Sequence, residues 1–68
     1  MEELFFLVEE DAEGGYTARA LGESIYTQGE TLEELRSNIR DAVGCHFGKD
    51  QPRLIRLHIV RDETLANA

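Results

Sequence analysis

The apolar pattern of this chain predicts an α+β domain of order β-β-β-α-β, with one helix packed on an antiparallel sheet. Three observations carry that expectation. An apolar run, LFFLV at 4–8, is followed by glycine-bearing pauses at 14–15, 22 and 29. A helix-start signal at Thr31 opens a stretch of helical periodicity, and a second alternating run, LIRLHIV, follows at 54–60.

Each element has its own reason. LFFLVEE, Leu4 to Glu10, is rich in β-formers and too short for a typical helix, so it reads as the first strand. Leu4, Phe6 and Val8 share one face and Phe5 and Leu7 the other, which predicts cover on both sides, the helix on one and a second subunit on the other. DAEGG then supplies turn residues, with Gly14 or Gly15 free to take a positive φ, and closes a hairpin. GYTARAL is the second strand, with Tyr16, Ala18 and Ala20 on one face and Thr17, Arg19 and Leu21 on the other. After Gly22 and Glu23, SIYTQ forms a short third strand around Ile25, Tyr26 and Thr27.

The helix carries the clearest local signal. Thr31 stands at the N-cap position and Glu34 three residues on, the pairing of a capping box. Leu32, Leu35, Ile39, Ala42, Val43 and His46 recur at spacings of three and four and form one apolar stripe, in which His46 is expected to be packed and satisfied. Arg36 lies at the edge of that stripe, Arg40 further out and Asp41 opposite. Gly48, with Lys49 and Pro52 behind it, stops the helix. In the fourth strand Ile55, Leu57 and Ile59 alternate with Arg56 and His58, and RDETLANA trails away, frayed or added to a neighbour's surface. The chain therefore reads as one domain over 1–68, with an ordered core over about 3–61 and a tail at 62–68.

Composition narrows the function classes. A domain of 68 residues has a thin core, since about 60% of its unfolded surface is buried on folding. The single cysteine, Cys45, makes no intramolecular disulfide, and no spaced Cys/His set supplies a structural metal, which leaves self-association as a route to further burial. With no apolar run long enough to span a membrane and acids where a signal peptide needs bases, a cytoplasmic protein is expected. The net charge of −7 is unevenly spread: residues 1–34 hold ten acids and one base, residues 35–68 four acids and six bases. An acidic half of charge −9 repels phosphate backbones and favours a basic partner.

No enzyme is expected. Carboxylate-and-Mg²⁺ nucleases need an acid held rigidly inside the first strand, and here its middle is Phe5, Phe6 and Leu7; Glu9, Glu10, Asp11 and Glu13 fall at the strand end and in the turn. Cys45 and His46 are sequence neighbours about 100° apart on a helix and do not converge with His58 on a metal. Cys45 lacks an orienting group and an oxyanion donor, so no catalytic residue, metal or cofactor is assigned. A double-stranded-RNA module would place bases near the helix N-terminus, where this chain has Glu33 and Glu34. Arg36, Arg40, Lys49, Arg53, Arg56 and Arg61 alternate with acids and lack interleaved aromatics, the pattern of a solvated face.

GGYTARA, followed by a short strand and QGETLEELRSNIRDAV, resembles the HicB-like antitoxin superfamily. The match runs through Gly15, Tyr16, Gly29, Glu30, Thr31, Glu33, Glu34, Asn38, Asp41 and Ala42, and spans residues 4–60. Two features depart from the pattern: LGES, Leu21 to Ser24, stands where the family has a Pro-Gly-Cys turn, and the DNA-binding segment of longer antitoxins does not follow in these 68 residues. The resemblance implies a partial ribonuclease-H-like fold and a module that neutralises a small basic HicA-type ribonuclease toxin by occlusion, without direct DNA binding. The alternative is a solitary homo-oligomeric domain of the same fold that binds another protein or a small ligand. Under the first reading the partner surface is Glu9, Glu10, Asp11, Glu13, Glu30, Glu33 and Glu34. The expected homo-oligomer interface, of a dimer or larger, is Phe5, Leu7 and Tyr26.

Overall fold

Two hairpins and one helix return determine the topology. In a computed structural model describing residues 2–67, the elements are β1 (Glu3–Glu10), β2 (Tyr16–Ala20), β3 (Tyr26–Gly29), α1 (Leu32–Phe47) and β4 (Leu54–Val60). Met1 and Ala68, the two ends of the expected 1–68 domain, lie outside the described residues, as does the last position of the expected tail.

The first reversal is built by local chemistry. The Asp11 side chain accepts from the Glu13 N–H at 3.0 Å, and Asp11 N–H donates to the Gly15 carbonyl at 2.9 Å. Both Gly14 and Gly15 take positive φ, 104° and 87°, a region costly to residues with a Cβ. The second reversal passes through Leu21–Glu23 and is closed by Ala20 N–H donating to the Ile25 carbonyl at 2.9 Å. As a result β3 begins two residues later than the apolar pattern suggests, and Ile25 fills the core from just before the strand, 7% exposed.

The sheet order is β3-β2-β1-β4. β1 pairs antiparallel with β2, and β2 with β3, but β4 lies parallel to β1, with Phe6 opposite Leu57 and Val8 opposite Ile59. The sheet is therefore mixed, which corrects the expectation of an antiparallel one. The cause is topological. Two hairpins leave β3 running the same way as β1, and α1 carries the chain back, so β4 must run parallel to both. The one antiparallel neighbour it could have, β2, already has both edges occupied.

β1 is thus enclosed on both edges, and its inward residues form the centre of the core. Leu4, Phe6 and Val8 pack with Ala18, Ala20 and Ile25 and with Leu35, Ile39 and Val43 of α1. Phe6, Val8 and Leu35 are completely buried. Burial of large apolar side chains such as these is worth about 1.5–3 kcal/mol each relative to exposure. The helix lies over β3 and β2, so its cover thins toward the opposite edge. Ile55 and Leu57 of β4 are only half-buried, and Ile59 is 46% exposed although it points to the same side as Val8. The outer face carries Phe5, Leu7, Arg19, Tyr26, Arg56 and His58 and has no second layer among the described residues. Among the described residues no helix is long and apolar enough to cross a membrane.

Candidate partner-binding site at the acidic end

Every acid of the expected partner surface falls at one end of the molecule. β1 ends in Glu9 and Glu10, the β1–β2 turn holds Asp11 and Glu13, and β3 delivers the chain to the same end because Gly29 pairs with Tyr16 at the start of β2. The helix then opens with Glu33 and Glu34 in its first turn, preceded by Glu30. All seven carboxylates are exposed. Of these seven, only Glu10 has a salt bridge among the described residues, to Arg61 at 3.2 Å. Glu33 and Arg36, three residues apart on α1, form no salt bridge among the described residues.

Between the turn and the helix start lies an open cleft of about 480 Å³. Asp11, Glu30 and Glu34 line it, so three of the seven acids converge while Glu9, Glu10, Glu13 and Glu33 stand outside its lining. Uncharged polar groups complete the walls: Thr17, Thr27, Gln28 and Asn38, with the ring of Tyr16. None of these five belongs to the expected partner surface. Tyr16 and Asn38 offered a signal, since both are positions of the motif pattern read in the sequence.

The junction that shapes this cleft is held by close backbone contacts. Thr31 accepts from the Glu34 N–H at 3.0 Å, and Glu34 reaches back to accept from the Glu30 N–H at 3.2 Å, so the capping box forms one residue wider than its usual register. Asn38 donates to the Gln28 carbonyl at 2.7 Å and fastens the helix to β3. Gly29 sits where no side chain fits: a Cβ there would come within 2.7 Å of the Leu35 nitrogen and 2.9 Å of its Cα. Acids at a helix N-terminus also face its partial positive charge, which favours Glu33 and Glu34 where they are.

The other singled-out side chains lie elsewhere. His46 is not packed in the apolar stripe, contrary to expectation; its side chain is 38% exposed, contacts Glu23 at 3.2 Å and meets Phe47 edge-on. The stripe has turned far enough by the last helical turn to bring His46 to the surface, where the Glu23 carboxylate meets its ring nitrogen. Cys45 is exposed and His58 faces out of β4. Among the described residues no three His, Cys, Asp or Glu side chains cluster closely enough to hold a metal ion. Of the six bases in the second half, Arg53, Arg56 and Arg61 are paired with Glu2, Glu3 and Glu10.

The fold and this end together define a small α+β domain with an acidic, polar-walled cleft beside a capped helix. Two relatives share it in sequence: a UPF0150 protein of Thermotoga maritima, 42% identical over 96% of this chain and 93% of the relative, and a UPF0150 protein of Archaeoglobus fulgidus, 56% identical over 75% and 77%. The chain belongs to the UPF0150 family. No family model and no solved structure matches it.

Proposed function

We propose that this chain is a HicB-like, antitoxin-type protein-binding module whose acidic end occludes a small basic ribonuclease of the HicA type. The observation that carries the reading is the gathering of seven exposed carboxylates at one end, six of them without an ion-pair partner among the described residues. The resemblance adds support: Gly15, Tyr16, Gly29, Glu30, Glu34 and Asn38, positions that match the superfamily pattern, all line the cleft. A toxin surface that holds RNA phosphates presents the complementary charge, and covering it blocks substrate without any chemistry from this chain. Electrostatic complementarity of this sort acts mainly on association rate and partner choice.

The test is association with a basic HicA-type protein in stopped flow at about 50 mM and 500 mM salt, where the screening length falls from roughly 14 Å to 4 Å. The rate should drop steeply with salt, and a Glu10→Lys, Asp11→Lys, Glu33→Lys triple variant should slow it at low salt. A salt-insensitive rate, or one untouched by the triple change, would leave the acids as a solubilising surface only. One observation favours the second reading, a homo-oligomeric domain of the same fold: the outer sheet face leaves Phe5 44% and Tyr26 63% exposed.

A further inference from the structure

At the opposite side of the inner face from β3, where the helix cover thins, a groove of about 200 Å³ runs between α1 and β4. Its floor is Ile39, Ile55 and Leu57, and its rim is Arg36 and Arg40. Neither guanidinium has a salt bridge among the described residues, although Arg53, Arg56 and Arg61 each have one. An apolar floor flanked by two uncommitted positive charges fits an extended segment that carries an acid and a large apolar side chain on the same side.

The chain holds such a segment. Residues 61–67 follow β4 without regular structure and are exposed throughout, and Leu65, at 79%, is the most exposed of its large hydrophobic side chains among the described residues. In an extended backbone alternate residues point the same way, so Glu63 and Leu65 share a side and Asp62 and Thr64 face away. We propose that the tail of a second copy of this chain lies in the groove, with Glu63 between Arg36 and Arg40 and Leu65 on Ile39, Ile55 and Leu57, and that the exchange is reciprocal.

Two features separate a second copy from the chain's own tail. Arg61 is fastened to Glu10 at 3.2 Å, which fixes the first tail residue at the rim of the sheet in line with β4. Entering its own groove would then require a sharp reversal inside residues 62–64, a stretch with neither glycine nor proline. The molecule is instead drawn out, 54 Å long against 19 and 17 Å across, as a projecting tail makes it. A two-fold exchange places each tail on the other copy's groove and closes the assembly without open ends. The groove contacts use none of those seven carboxylates, and Glu10 enters only through its salt bridge to Arg61.

Sedimentation equilibrium of the full chain at micromolar concentration tests it. Leu65→Asp and Glu63→Arg should each weaken self-association by roughly tenfold or more. Both residues are exposed within the chain, so the thermal melt of the dissociated protein should stay unchanged. The pair Arg36→Glu and Arg40→Glu should weaken association likewise, and adding Glu63→Arg to that pair should restore much of it. In a Cys45→Ser background, a tagged Leu65→Cys chain mixed with an untagged Ile55→Cys chain should form a disulfide between the two. A monomeric wild type, association indifferent to the tail variants, or a disulfide that forms only when both cysteines lie in one chain would overturn the proposal. Loss of toxin association with these measurements intact would count against the acidic-end reading alone.

Discussion

Two glycines of this chain respond oppositely to the same added methyl group. At Gly29 a Cβ would meet the backbone of Leu35 at 2.7 and 2.9 Å, atoms that cannot swing aside as a side chain can. Gly29→Ala must push the first turn of α1 off β3, and a cost of about 1–3 kcal/mol follows from overpacking of that kind. Gly44, inside α1, has only the flexible Gln51 amide within 4 Å, at 3.8 Å. There alanine restricts the unfolded chain without a clash, and Gly44→Ala should stabilise by about 0.5–1 kcal/mol. Paired urea melts of the two variants read the difference directly, and equal shifts of one sign would refute the account. Gly15, Gly29, Thr31, Glu34 and Asn38 were legible in the sequence, Thr31 and Glu34 as a capping box and Gly15 as a turn residue, but the tasks of Gly29 and Asn38 were not. Four of them work within the junction: Gly29 through close approach, Thr31 and Glu34 through caps, Asn38 through the Gln28 carbonyl.

Among the elements, α1 was legible almost to the residue, from Thr31 at its N-cap to Gly48 at its C-cap, because capping and periodicity are local. β1, β2 and β4 follow their alternating patterns as closely. β3 and His46 departed for nonlocal reasons. Ile25 is drawn into the core before the strand begins, and the helix axis carries His46 beyond the sheet's cover. The parallel partner of β1 could have been deduced from the element order by counting reversals, since hairpin, hairpin and helix leave β4 parallel to β1. What no count gives is the choice of β1's free edge over β3's, which depends on burying the most apolar strand centrally. The local account makes its own prediction for the β3–α1 junction. Thr31→Ala should cost about 1 kcal/mol through the lost cap, and Asn38→Ala a similar amount through the lost bond to Gln28. Hydrogen exchange should separate them. Thr31→Ala should expose the amides of the first helical turn, whereas Asn38→Ala should also loosen Gln28 and Gly29 in β3. Identical exchange patterns would mean that Asn38 is not the fastening between the two elements.

At the scale of the whole molecule, the chain has one covered sheet face and one bare one. The inner face contributes Leu4, Phe6, Val8, Ala18 and Ala20 to the core, which Ile25 and Leu35, Ile39 and Val43 of α1 complete, while the outer face leaves Phe5 and Tyr26 in water, with Leu7 beside Phe5 on β1 and Arg19 between Leu7 and Tyr26. Arg56 partly shields Phe5, its guanidinium carbon 6.0 Å from the ring centre, but Arg56 is itself held toward Glu3 at 3.1 Å and does not extend over the rest of the face. A small domain gains much from covering such a surface, and a second copy brings an equally bare face to it. Phe5→Glu and Tyr26→Asp should therefore reduce the assembled mass seen by sedimentation while far-UV circular dichroism keeps its helix and strand content, because neither side chain belongs to the core. This interface and the tail-filled groove lie on opposite sides of the sheet, so their effects should be separable. Outer-face variants should leave the Leu65→Cys to Ile55→Cys disulfide intact, and tail variants should leave outer-face pairing intact. An unchanged mass in the Phe5→Glu, Tyr26→Asp double variant would show that the outer face stays solvated and that any assembly is built without it.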